Sequence, residues 1–322
     1  MERHAYTHSV EKEFTRKNFI MNPDFVRPLK HPKKEQYLGF DLFKGFLLIL
    51  VVTYHAIAGN IHRNQMSFWI LTFTMPLFSS ISGYLINEKY IATTSYYEIF
   101  NKYWERMIRD WLLVWTAMYV IDVLMGLKVA SFRSFVYNLV FPGYHLWYIP
   151  ALMLYITLFW ALKKLNLRDG AILAVSIGFS LGFGLFGLYY IVPTYWNTPY
   201  SILHGIYSGL KPHYFGFFIL GWYIRKHSHY EREQKFHFFR FIMWTGFVIL
   251  LGARIVMSLD FVMFYTFDFF LLNYCAIVLL FPIIKHVVLH KNLIINRFLK
   301  WMSDNSLYIY LYHGMFVYLR YI

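Results

Sequence analysis

Cysteine is nearly absent from this chain. The one among 322 residues, Cys275, lies inside an apolar run, so neither a disulfide framework nor a thiolate metal site can be built. We read it as a buried packing residue. Charge is scarce as well: only 15% of the residues are Asp, Glu, Lys or Arg, and 17 acids face 31 bases. No His/Cys/Asp set has metal-ligand spacing, and neither G-x-x-x-x-G-K-S/T nor G-x-G-x-x-G occurs. Metal and nucleotide-fold readings therefore drop out. The first 36 residues contain no apolar h-region, so no signal peptide or targeting sequence can be named there. No internal repeat stands out, which removes the direct sign of an inverted-repeat transporter.

What is present in abundance is apolar and aromatic. Hydrophobic residues make up 58% of the chain and aromatic ones 22%, with a mean hydropathy of +0.41. Apolar runs of about 20 residues, the length that crosses a hydrocarbon core, recur along it. These features predict an all-α, polytopic transmembrane helical bundle of about nine to ten spans. The expected spans are approximately 41–59, 66–87, 111–126, 145–162, 171–190, a short one ending at 221–224, 239–256, 261–284 and 306–322. A half-span or re-entrant piece around Ser201–Lys211 would reverse the side on which the chain ends. Residues 1–36 are expected to be a polar cytoplasmic tail, with Lys30, Lys33 and Lys34 able to touch anionic headgroups. Residues 37–322 are expected to form the transmembrane domain. With the amino terminus in the cytoplasm, 24 of the 31 Lys and Arg fall on the cytoplasmic side and 4 on the other. This asymmetry orients the bundle and accounts for the net charge of +14 without nucleic acid.

The stretch Tyr37–His55, YLGFDLFKGFLLILVVTYH, organises the rest. As a helix, the eleven-residue step from Lys44 to His55 advances three turns, roughly 16 Å, with only about 20° of drift. Asp41, one turn before Lys44, falls near the same stripe. One helix thus carries a cation at its entry and an imidazole deep in the bilayer, on a face that should meet protein or water. A neutral imidazole can take a proton from a hydroxyl or itself accept an acyl group; it can equally be a satisfied packing residue.

Four other segments carry polar chemistry. In Phe73–Ile86, FTMPLFSSISGYLI, Pro76 and the small residues Ser79, Ser80, Ser82 and Gly83 serve either close helix packing or a kink that opens a cavity. In Trp104–Arg109, WERMIR, the guanidinium groups of Arg106 and Arg109 point to one side of a helix and can chelate phosphates, or simply anchor the span. His145 opens HLWYIP, where Trp147 and Tyr148 are expected in an external interfacial belt. His313 sits in SLYIYLYHG inside the last span. Asp122, Asp268 and Arg254 are costly within or near spans unless paired, and Arg254 with Asp268 is a candidate pair.

Together these segments resemble, in order, the motifs of a known family, the membrane-bound acyltransferases called acyltransferase family 3. FDLFKGFLLILVVTYH resembles its first-helix motif of Arg or Lys followed by His, and FTMPLFSSISGYLI its second-helix pattern, with Thr74 where His is common. Arg106 and Arg109 match its cytoplasmic Arg-x-x-Arg; HLWYIPALML, FFILGWYI and SLYIYLYH match its later segments. The resemblance covers roughly residues 38–318. It implies acyl transfer, often acetyl, from cytosolic acyl-CoA to a hydroxyl of a glycan or glycolipid acceptor beyond the cell (cytoplasmic) membrane. Carried over, His55 is the catalytic residue, acting as general base or acyl carrier. Lys44, Arg106 and Arg109 handle the CoA phosphates, Asp41 orients Lys44 or helps close the entrance, and His145, Trp147 and His313 support the site. No bound cofactor and no metal are implied. Lys44 is a poorer bidentate phosphate ligand than Arg, and Thr74 removes a second base. No hydrolase-like domain is seen, so the module is expected to act alone or with a partner. The competing class is an exporter or flippase of a polysaccharide or lipid-linked intermediate; a third is an inactive scaffold in a glycan synthase complex.

Overall fold

In the computed structural model the described residues are 38–57, 65–142, 145–191, 202–227, 234–256, 266–286 and 294–318. The expected tail 1–36, with Lys30, Lys33 and Lys34, lies outside them, as does Arg63. Helices and turns account for the described structure, with no strand among the described residues. The protein is an all-α helical membrane protein. Four helical segments are long and apolar enough to cross a bilayer: Leu38–Ile57, Met66–Leu85, Asp169–Tyr190 and Phe267–Ile284.

The helices are α1 (Leu38–Ile57), α2 (Gln65–Leu85), α3 (Glu88–Thr93), α4 (Tyr96–Tyr103), α5 (Arg109–Leu124), α6 (Phe132–Val140), α7 (Tyr148–Lys164) and α8 (Asp169–Phe186). After them come α9 (Ile202–Gly205), α10 (Phe215–Lys226), α11 (Gln234–Val256), α12 (Phe267–His286), α13 (Ile294–Asp304) and α14 (Ser306–Tyr318). Each expected span overlaps one of them, although residues 58–59, 261–265 and 319–322 of the expected spans lie outside the described residues. Within 202–210 stand α9 and a π-helical turn, Ile206–Leu210. A helical piece of that length is too short to cross.

The centre of the bundle is α10, whose residues Phe215 to Trp222 are all buried. A helix apolar all round can sit only where neighbours cover every face. Its closest neighbour is α2, and small residues set the approach. A Cβ on Gly83 would overlap the carbonyl oxygen of Phe218, and a Cβ on Gly221 that of Ser80. The small residues of FTMPLFSSISGYLI therefore do serve close packing. Pro76 is accommodated inside α2 without ending it.

The costly polar groups are paired. Arg254 Nη1 lies 2.5 Å from Asp268 Oδ2, with the guanidinium between the rings of Phe68 and Phe269, each 5.6 Å away. The expected pair is therefore formed, between α11 and α12. Asp122 meets Lys128 at 2.8 Å. On the side where the expected cytoplasmic loops lie, Glu88 of α3 receives Lys163 of α7 (2.8 Å), Lys226 of α10 (2.7 Å) and the Trp222 indole (3.0 Å). Burial acts to raise the Glu88 carboxyl, but the hydrogen bonds from Lys163, Lys226 and Trp222 outweigh it and hold the pKa below its usual value. Its pairing therefore stabilises the fold above the unfolded carboxyl range and is lost as acid protonates it.

The α2–α10 contact generates a direct test. Gly83→Ala forces a methyl group into a backbone carbonyl and should cost about 1–3 kcal/mol, seen as a lower midpoint of thermal unfolding in detergent micelles. Gly178→Ala, where nothing lies within 4 Å of the added Cβ, should leave the midpoint unchanged or slightly raised. Equal effects at the two positions would mean that α2 and α10 do not pack as described.

Candidate active site

Helix α1 presents its stripe as the 3.6-residue period requires. Lys44, Leu48 and Val51 line one cavity, and His55 follows four residues on. The helix is pinned from behind: a Cβ on Gly45 would overlap the Leu299 carbonyl oxygen of α13. That approach brings Lys300 within 3.3 Å of Asp41, and Lys300 also binds Asp304. The ion pair of Asp41 is thus with Lys300, while Lys44 feels Asp41, Asp304, Lys300 and Arg106 through space. Asp41 helps hold α13 against α1 and does not bond to Lys44 directly.

The cavity has a volume of about 290 Å³. Lys44, Tyr103 and Arg106 line one part of it, and Met75, Phe78, Ile81, Leu152 and Ile156 give it apolar walls. Ser82, Tyr148, Ser306 and Tyr310 are its polar residues elsewhere. Three of the lining residues, Met75, Phe78 and Ile81, flank Pro76, so the second helix shapes this space as well as packing. Thr74 is not part of it: its hydroxyl donates to the Ile70 carbonyl of its own helix.

Arg106 and Arg109 part company. Residues Trp104–Ile108 form a π-helical turn in which the Arg109 N–H reaches the Trp104 carbonyl. A widened turn breaks the spacing that would set positions i and i+3 on one side. Both are exposed, but Arg106 lines the cavity, whereas Arg109 is not among its lining and its Nε lies 3.2 Å from Asp110.

Two helices and a turn bring three imidazoles together. The ring centroid of His313 on α14 lies 5.1 Å from that of His55 and 4.6 Å from that of His145, and His55 and His145 are 6.0 Å apart. His145 occupies the turn before α7, and its Nε2 lies 3.2 Å from the Leu311 carbonyl. His313 Nδ1 lies 3.0 Å from the Ile309 carbonyl. A carbonyl only accepts, so His145 carries its proton on Nε2 and His313 on Nδ1. His313 Nε2 is left as a bare, buried acceptor with no partner among the described residues. Tyr310 links this cluster to the cavity: its hydroxyl donates to the His145 carbonyl and accepts the Tyr148 N–H at 3.0 Å. Tyr148 in turn bonds Ser82 at 2.8 Å. Gly314 lets the rings approach, since a Cβ there would fall within the His145 imidazole. No group of three or more His, Cys, Asp or Glu among the described residues could hold a metal ion.

Trp147 is buried rather than belted at an interface; its ring lies 6.0 Å from Tyr214, with the Lys211 ammonium 4.8 Å above it. Sequence reasoning missed Tyr310, Tyr148 as a site residue, and Gly314. Tyr310 and Tyr148 each lie three residues from a singled-out histidine, one helical turn away, and that spacing was the available signal.

With this geometry in view, comparison with known proteins is informative. A family model described as an acyltransferase domain matches residues 37–320. The chain belongs to this acyltransferase family. It is similar to the nodulation protein NolL of Sinorhizobium fredii (strain NBRC 101917 / NGR234), with 42% identity over 64 residues that cover 18% of each protein. It is also similar to an amino-acid racemase of Enterococcus faecalis, 24% identical over 256 residues, covering 70% of this chain and 33% of that protein. The chain therefore spans 18% and 33% of the length of these two relatives. No solved structure matches.

Within the acyltransferase family frame, Lys44, Arg106, His55, His145 and His313 are assembled around or beside one cavity, and Arg109 stands apart. Gly314 generates the sharpest structural test. Gly314→Ala displaces the His145 ring and should lower acyl transfer by about 10-fold or more, as a misplacement of about 1 Å can cost 10²-fold. The thermal midpoint should fall no further than in Gly83→Ala, because a side-chain ring and not a backbone carbonyl must give way. Wild-type acyl transfer in this variant, measured in isolated membranes, would remove the imidazole cluster from the active site.

Proposed function

We propose that this acyltransferase is a multi-pass protein of the cytoplasmic membrane that moves an acyl group, in the simplest case acetyl, from cytosolic acyl-CoA to a hydroxyl of a cell-envelope or secreted glycan or glycolipid. One observation carries the reading: a single cavity runs between the cations Lys44 and Arg106 and the tyrosine Tyr310, whose hydroxyl bonds the backbone of the three-imidazole cluster. The Lys and Arg asymmetry supports a cytoplasmic side for the cationic part.

The chemistry divides along that path. Lys44 and Arg106 receive the phosphates of CoA, where guanidinium and ammonium donors make charge-assisted hydrogen bonds. Arg109, exposed beside the same helix, meets the more distant phosphate. The pantetheine arm lies along the apolar walls and brings the thioester to His55. In one route the His55 imidazole takes the acceptor hydroxyl proton as the oxygen attacks the thioester carbonyl; the carbon–sulfur bond breaks and the proton passes to the CoA thiolate. In the other, an imidazole nitrogen attacks first, the carbon–sulfur bond breaks and CoA leaves as a thiol with the imidazole N–H proton; the acceptor oxygen then displaces the acyl group from His55, which takes up the hydroxyl proton. The bare Nε2 of His313 suits a group that accepts a hydrogen bond from the protonated His55 in the first route.

The test compares His55→Ala and Arg106→Gln with wild type at matched expression, reading acyl groups on envelope glycans by mass spectrometry. Loss of one proton-transfer group should lower acylation by about 10²–10⁴-fold in His55→Ala while polymer export continues. Arg106→Gln should raise the KM for acyl-CoA by about 10-fold, the value of a charge-assisted hydrogen bond. Export that fails while acylation is absent even in wild type would replace this reading with an exporter or flippase.

A further inference from the structure

Beyond the imidazoles, away from the donor cavity, lies a cation that no step above uses. Lys211 follows the π-helical turn Ile206–Leu210 and has a left-handed backbone, φ 42° and ψ 55°. A residue with a Cβ adopts that region only when its surroundings impose it. Here they do: the Lys211 carbonyl accepts both the Tyr155 hydroxyl at 2.8 Å and the Tyr214 N–H at 3.0 Å.

The side chain thus fixed sets its ammonium 4.8 Å above the Trp147 ring. The ring attracts a cation through its quadrupole but does not take the place of oxygen acceptors for three N–H donors. The described residues offer this ammonium no hydrogen bond and no carboxylate within ion-pair distance, although the residue is half-buried. Lys211 acts electrostatically on His213, a base that brings no negative charge. A half-buried ammonium without an anion is costly, and an anionic ligand would complete it.

Its position relative to the chemistry gives the ligand a class. Trp147 is two residues from His145. The Trp147 ring lies 6.0 Å from Tyr214, and the His145 ring lies 6.0 Å from that of His55. Trp147 therefore joins Lys211 to the segment that carries the imidazoles, with an aromatic face of the kind that polar, flat-faced ligands use. We propose that Lys211 is the anion-binding residue of an acceptor subsite, and that the acceptor is a saccharide bearing a carboxylate or phosphate near the hydroxyl that is acylated. What the subsite serves rests on the acyl-transfer reading above, but anion binding itself can be measured without turnover.

The experiment is isothermal titration of the purified full-length protein in detergent micelles with trigalacturonate, galactose 1-phosphate and neutral galactotriose. One of the two anions should bind saturably and galactotriose should not; which anion binds distinguishes a uronate from a phosphate. Lys211→Asn removes the ammonium yet suits the left-handed backbone, because Asn enters that region more readily than most residues. It should keep the wild-type thermal midpoint and bind the anion about 10- to 100-fold more weakly, the value of a hydrogen bond to a charged group. Lys211→Arg should bind within about threefold of wild type, a difference smaller than one such hydrogen bond. Binding of neither anion, equal binding of galactotriose, or wild-type affinity in Lys211→Asn would overturn the subsite. If anion binding depends on Lys211 while the wild type transfers no acyl group, the subsite stands and the acyl-transfer reading falls.

Discussion

Polar groups inside an apolar slab must be paired, hydrogen-bonded or faced onto a cavity, and this constraint governs the whole arrangement. Helix α1 meets it along one stripe, where Lys44 opens onto a cavity and His55 onto two other imidazoles. Elsewhere Arg254 is sandwiched between phenylalanine rings and closed by Asp268, and Glu88 gathers two lysines and an indole. The glycine contacts are the other half of the same solution. Gly83, Gly221 and Gly45 let backbones approach until side chains on neighbouring helices can reach each other, and Gly314 does so for the imidazoles themselves.

The assembled site reads as a division of labour along a single path. Cations gather in one part of the cavity, apolar walls line it, and imidazoles with assigned tautomers stand beside it, an order that suits the proposed anionic donor and its flexible arm. Backbone carbonyls do the assigning: Leu311 holds the His145 proton on Nε2, and Ile309 holds the His313 proton on Nδ1. The side chain that bridges cavity and cluster is Tyr310, which binds the backbone on either side of the turn before α7. Helix α14 is thus a working part of the site, supplying both Tyr310 and His313.

Much of this was legible in the residues, and the exceptions are physical. The α1 stripe could be read because the 3.6-residue period fixes relative direction within one helix. The Arg254–Asp268 pair could be read from the cost of leaving either alone. Arg106 and Arg109 could not, because a π-helical turn leaves no composition signal and changes which residues share a side. Asp41 turned to Lys300, a partner supplied by a helix far away in the chain. The convergence of His55, His145 and His313 lies between helices, beyond the reach of spacing rules; family motifs singled out the same residues without their geometry. Trp147 read as an interfacial residue because belt and pocket tryptophans look alike in sequence, and only its neighbours Tyr214 and Lys211 separate them.

The central claim is that one cavity carries the acyl donor from Lys44 and Arg106 to His55. A cryo-electron microscopy structure of the full chain with a non-hydrolysable acetyl-CoA analogue tests it most directly. The account predicts phosphate density against Lys44 and Arg106, and a pantetheine arm that passes Phe78 and Tyr310 to set its carbonyl beside the His55 imidazole. An analogue bound outside this cavity, or one whose carbonyl ends away from His55, would contradict it.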